Sequence, residues 1–207
     1  MLQRMKIGIV ALLAGILVLE FGCLQRRPAR IHPPGINASA AGAKAIEMFD
    51  ANKDGKISGE ELNKCPGVKA AIAQIDPSGQ GITAEAITAR IKAWQATKLG
   101  RMSMACRVTR NGQPLAGATV KFVPEPFLGE NMKVAKGTTD QNGMAMISIE
   151  TSGPKDPPGV PPGLYRVEIT KEGMNIPAKY NTETILGQEV ALDAKGIQEG
   201  IVFDLQF

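Results

Sequence analysis

The sequence predicts an α+β chain with two regions, a small helical unit over residues 40–99 and a seven-stranded antiparallel β-sandwich over 104–207. Three observations carry this. Residues 40–99 are rich in alanine, with Ile, Leu, Trp and Phe three and four residues apart, the period of a helix that buries one face. From about residue 104 the texture changes to short alternating segments separated by Gly, Pro and Asn. Asn111-Gly112 and Asn142-Gly143 fall between such segments, as hairpin turns require.

The chain begins with a segment that stands outside this fold. Arg4 and Lys6 precede an apolar run from Ile7 to Leu19, which matches a signal-peptide core and is short for a membrane span. The run closes on Gly22-Cys23, which resembles the lipobox of bacterial lipoproteins and implies lipidation of Cys23. Glu20 stands where that pattern usually has an aliphatic residue. Ordinary secretion and an uncleaved membrane anchor are the alternatives, and all three readings export the remainder. Residues 24–39, rich in Arg, Pro and Gly without an apolar period, read as a tether.

Within the helical unit, the stretch Asp50–Glu61 places oxygen-bearing side chains in a fixed order. Asp50, Asn52 and Asp54 take positions one, three and five of a twelve-residue loop, and Gly55 supplies the sharp turn at six. Lys56 contributes its backbone carbonyl, Ser58 acts through a water, and Glu61 closes the loop with two carboxylate oxygens. Ser58 and Glu61 also form an S-x-x-E capping box that starts the next helix. The pattern resembles the EF-hand family, and the hard oxygen donors imply Ca2+ rather than zinc or copper. Ile57 is apolar because it would pair with a partner loop. That partner is degenerate. Residues 75–87 repeat the theme with Ile82 opposite Ile57, but run one residue short, and Glu85 misses the closing position. The second hand therefore reads as structural.

The flanking helices follow. Ala45, Met48 and Phe49 form the apolar side of the entering helix, and Leu62 opens a short exit helix ended by Pro66. Val68, Ile72 and Ile75 face the core from a third, and Ile87, Ile91 and Trp94 from a fourth, with Trp94 a core anchor. One intact site in an exported protein favours stabilisation over signalling, since a Met-rich target groove is absent. At ten times its dissociation constant the ion adds about 1.4 kcal/mol to the folded state.

The β half is expected to hold strands at 104–109, 118–123, 132–138, 144–150, 164–170, 187–192 and 200–206. Tyr165, Val167 and Ile169 alternate inward against Arg166, Glu168 and Thr170, and Ile201, Phe203, Leu205 and Phe207 repeat the pattern. Asp140 and Asn142 are explained as a turn between strands. Residues 111–125, 137–147, 161–170 and 176–181 together resemble the transthyretin-like, or carboxypeptidase-regulatory-like, sandwich of bacterial surface lipoproteins. The resemblance implies a prealbumin/Ig-like fold used for structure or recognition, without implying a reaction.

Several function classes fall away. The net charge of +4 is scattered, with no basic stripe for nucleic acid. The single histidine, His32, lies in the tether, so no Ser or Cys has a base beside it. The transthyretin-related hydrolases of urate breakdown end in a Tyr-Arg-Gly-Ser tail, whereas this chain ends in Asp204-Leu205-Gln206-Phe207. Glu125, Glu130 and Asp156 read as solvated loop acids rather than a catalytic carboxylate pair. Cys106 alternates with Met104 and Val108 and is expected as a buried free thiol rather than a bridge to Cys65. The leading expectation is a calcium-binding, non-enzymatic, membrane-anchored envelope protein. The alternative is a carbohydrate- or peptide-binding surface module using loops such as 152–163; its protein or glycan partner is not written in the sequence.

Overall fold

A computed structural model describes residues 31–153 and 156–207. The signal segment over 1–23, and with it Cys23, lies outside the described residues.

Helix α1, Ala38–Phe49, starts where the Asn37 side chain accepts a hydrogen bond from the Ala40 N–H. It buries Ala41, Ala45 and Phe49. Met48, expected on that face, is 42% exposed, since it lies at the edge of the buried stripe, about 100° round the helix from Phe49. A 3₁₀ turn over Gly59–Lys64 follows, then the short helices α2, Pro66–Ala70, and α3, Ile72–Ile75, and finally α4, Ala84–Ala96. Pro66 begins α2 as well as ending the preceding turn, because a missing N–H costs nothing at the first helical position. A Cβ on Gly42 would stand 2.3 Å from the Ala84 carbonyl oxygen, so α1 and α4 approach to backbone contact.

Among the described residues eight strands follow rather than seven: β1 Met104–Arg110, β2 Gln113–Pro114, β3 Thr119–Pro124, β4 Ala135–Thr138, β5 Met144–Ile149, β6 Gly163–Thr170, β7 Gly187–Val190 and β8 Ile201–Leu205. The extra strand is two residues long, formed because Asn111 and Gly112 (φ 50° and 77°) turn the chain straight back onto β1. The order is β2-β1-β5-β4-β3-β6-β7, with β8 beside β1. All pairings are antiparallel except β1 with β8, where Cys106 to Arg110 lie opposite Ile201 to Leu205 in parallel. Alternation in a strand fixes which face is buried but not the direction of its neighbour, so this pairing was not visible in the sequence.

The sheet is sandwich-like. Phe122 of β3 meets Phe203 of β8 edge to face at 6.2 Å and leans on Tyr165 of β6, so the β3–β6 part of the sheet faces the β1–β8 part across a common interior. Val120, Val167, Ile169 and Leu205 complete that interior at 0% exposure. Tyr165 donates its hydroxyl to the Pro161 carbonyl at 2.7 Å, which lets a fully buried phenol enter an apolar core.

The helices cover β6 and β7. Gly187 makes this possible: a Cβ there would lie 1.8 Å from the Pro66 carbonyl oxygen, so α2 rests directly on the β7 backbone. Glu189 of β7 accepts from Arg90 Nε at 2.6 Å and from Trp94 Nε1 at 2.9 Å, while Arg90 also pairs with Asp193. Helical unit and sandwich thus share one continuous apolar core. Residues 31–37, expected as tether, lie on this body: Ile36 is buried, Gln95 donates to its carbonyl, and Ile31 packs against Gly100. The base of the loop after β5 is held by the Arg101–Asp156 ion pair and by reciprocal hydrogen bonds between Met102 and Val160.

Candidate metal centre

The loop between α1 and the 3₁₀ turn is folded by its own side chains. Lys53, with φ 62°, and Gly55, with φ 82°, wind the backbone around Asp50, whose carboxylate accepts from the N–H groups of Lys53, Asp54 and Gly55. Asn52 accepts from the Asp54 N–H, and Asp54 from the Lys56 N–H and the Asn52 amide. Glu61, carried on the first turn of the 3₁₀ helix, reaches back across the loop. Its Oε1 accepts from Ala51 N at 2.7 Å and Asn52 N at 3.2 Å, and its Oε2 from Ser58 N at 3.0 Å. These backbone donors, Ser58 foremost, hold the Glu61 carboxyl below its ordinary range, so it is an anion at neutral pH. Of the expected capping box, the bond from the Ser58 N–H to Glu61 is thus in place.

Asp50, Asn52, Asp54, the Lys56 carbonyl, Ser58 and Glu61 therefore lie on one closed loop, its last residue tied to its first turn. The carboxylates are each met by loop N–H groups. Among the described residues no three His, Cys, Asp or Glu groups converge into a metal cluster. The donor chemistry nevertheless fits a hard cation. All the donors are oxygens, three carry charge, and Asp50 Oδ2, Glu61 Oε2 and both Asp54 oxygens each use a single lone pair within the loop. Bound there, calcium would supply positive charge that offsets the repulsion among Asp50, Asp54 and Glu61.

The partner loop is where Ile82 places it. Ile57 and Ile82 exchange hydrogen bonds at 2.9 and 3.0 Å in an isolated antiparallel bridge, both fully buried. Asp76 repeats the role of Asp50, accepting from Ser78 Oγ and from the N–H groups of Gln80 and Gly81, and the Ser78 hydroxyl first among these lowers its pKa. Four residues beyond Ile82, where Glu61 stands relative to Ile57, this loop has Ala86. It keeps the winding without the closing carboxylate.

The EF hand family model matches residues 43–66, covering the end of α1, the whole first loop and the 3₁₀ turn. No curated protein and no solved structure matches the chain. The match supports an EF-hand domain in the helical unit, with calcium as its ion.

Two charged residues at the junction escaped the sequence reading. Glu125, expected as a solvated loop acid, is fully buried beneath α2, and burial pushes its carboxyl up to about 7. Glu130 is exposed, as expected, and Asp156 is held by Arg101. Glu189, within a strand segment, is 2% exposed and paired with Arg90. For Glu125 the hint was positional: it is an acid at the end of a strand, flanked on both sides by apolar residues. Cys65 and Cys106 are both buried free thiols, and burial raises each to about 12.

Proposed function

We propose that this is an exported, lipid-anchored envelope protein in which calcium at Asp50–Glu61 stabilises the helical unit, and the sandwich is a non-enzymatic structural or interaction module of the transthyretin-like kind. The observation that carries the calcium role is the Glu61 carboxylate closing the loop onto Ala51 and Asn52. Through the shared core the ion would stabilise the whole body, since the loop leads through the 3₁₀ turn into α2, which is seated on β7. Support for the sandwich assignment is the ordered run of sequence motifs together with the facing of β3 and β8 and the Tyr165 hydroxyl bond to Pro161. Support for export and anchoring is the charged-apolar-small pattern that ends at Cys23.

Calorimetric titration of calcium into metal-free protein lacking residues 1–23 tests the calcium role. One binding event, absent in Glu61→Gln and accompanied by a rise in melting temperature, is the expected result. No heat and no melting shift would leave the loop a structural turn. Anchoring is tested separately by fatty-acid incorporation in the full chain, which Cys23→Ser should abolish.

A further inference from the structure

At the junction of helices and sandwich, one carboxylate is placed where neither half supplies it with a full set of partners. Glu125 follows β3 and is 0% exposed. Its Oε1 accepts from the Gly67 N–H at 2.8 Å, bridging residues 58 apart in sequence, and this is the hydrogen bond that fixes the start of α2 on the sandwich. Among the described residues its Oε2 is buried without a partner, and so is Nε of Arg166 on the neighbouring β6. The fit around it leaves no slack, since a Cβ on Gly67 would come within 2.9 Å of the Glu125 side chain and 2.8 Å of the Tyr165 nitrogen. We propose that Glu125 is a pH-sensitive latch between the helical unit and the sandwich, holding α2 in place while protonated and releasing it when ionised.

The physical basis is the asymmetry of the site. A protonated carboxyl can keep Oε1 as acceptor for Gly67 and needs only one further partner for its own proton. An ionised one buries a full charge against a single N–H and the incomplete attraction of Arg166. The charged and titratable groups acting on it are Arg166 from β6, which favours the anion, and the Cys65 thiol at the head of α2, which burial keeps neutral. Burial outweighs the Gly67 N–H and Arg166, both of which favour the anion, so the folded carboxyl titrates near 7, above its ordinary 4.5. The sign follows from this. A folded pKa raised above the unfolded one gives stability that is fully present below the unfolded value and lost as pH rises through the folded value. The folding equilibrium therefore falls on the order of fifty- to a hundredfold from this group between about pH 5 and 8. The inference does not depend on calcium being bound, and it is tested in chelator so that the two readings fail independently.

Trp94, the sole tryptophan, donates to Glu189 at the same junction and reports on it by fluorescence. Urea unfolding of the whole protein is followed at Trp94 from pH 5 to 8, in wild type and in Glu125→Gln, which preserves the acceptor for Gly67. The wild type is expected to lose stability across this range relative to Glu125→Gln, by the factor given above. Parallel pH profiles in the two proteins would overturn the latch. Should Glu125→Gln fail to fold, carbon-13 NMR of the assigned Glu125 side-chain carboxyl in wild type decides: a midpoint near 7 supports the proposal, and one below about 5.5 overturns it.

Discussion

Replacing Gly187 with alanine should unseat α2. The new Cβ would lie 1.8 Å from the carbonyl oxygen of Pro66, 2.2 Å from its carbon and 2.7 Å from the nitrogen of Gly67. Non-bonded heavy atoms settle at about 3.5 Å, so α2 and β7 must separate by more than 1 Å, and backbone on both sides leaves no flexible side chain to yield. Overpacking of this kind costs about 1–3 kcal/mol. The same displacement pulls the Gly67 N–H from Glu125, and an orphaned buried polar group adds about 1–3 kcal/mol. A loss of about 4 kcal/mol corresponds to a fall of about 8–16 °C in melting temperature for a chain of this size. Differential scanning calorimetry reads this directly. Gly35→Ala is the control, since a Cβ there meets nothing within 4 Å among the described residues, and its effect should stay within about 0.5 kcal/mol. A Gly187→Ala protein that melts within about 2 °C of wild type would refute the direct seating of α2 on β7.

Two more predictions accompany those stated for Glu61, Cys23 and Glu125. Ile82→Ala removes a fully buried side chain from the bridge to Ile57 and should cost about 2–5 kcal/mol in urea unfolding, while loosening the first loop enough to weaken calcium binding measured by calorimetry. In a Cys23→Ser protein, Cys65 and Cys106 should resist a thiol reagent at pH 8 in the native state and both react on unfolding, because burial keeps them protonated as well as covered.

The regions of the fold that were legible in the sequence are those set by local chemistry. The first loop could be read because each of its positions has its own stereochemical demand, from the positive φ of Gly55 to the reach of Glu61. The bridge between Ile57 and Ile82 followed from aligning two loops of unequal length. Strands such as Gly163–Thr170 followed from alternation, although Arg166 and Glu168 are half-buried where solvent was expected, because helices lie over that face. What could not be read depends on contacts distant in sequence. Glu125 looks like any loop acid until α2 is laid over it, and Pro66 looks like a terminator until Gly187 offers it a seat. Residues 31–37 lack a period of their own and are ordered by Gln95, Asn131 and Gly100 instead.

The parallel pairing of β1 with β8 has a mechanical consequence. Strands joined antiparallel by a hairpin peel away bond by bond when pulled from their open ends, like a zip. Here the first and last strands of the β half run side by side in the same direction through five register pairs, Cys106–Ile201 to Arg110–Leu205. Tension between residue 104 and the carboxyl end acts along that ladder, so its bonds bear the load together and in shear. The stacking of Arg110 on Phe207, and its hydrogen bond to the Phe207 carbonyl, clamps the far end of the same ladder. A chain held at one end and tugged at the other would resist through the rate at which this clamp gives way.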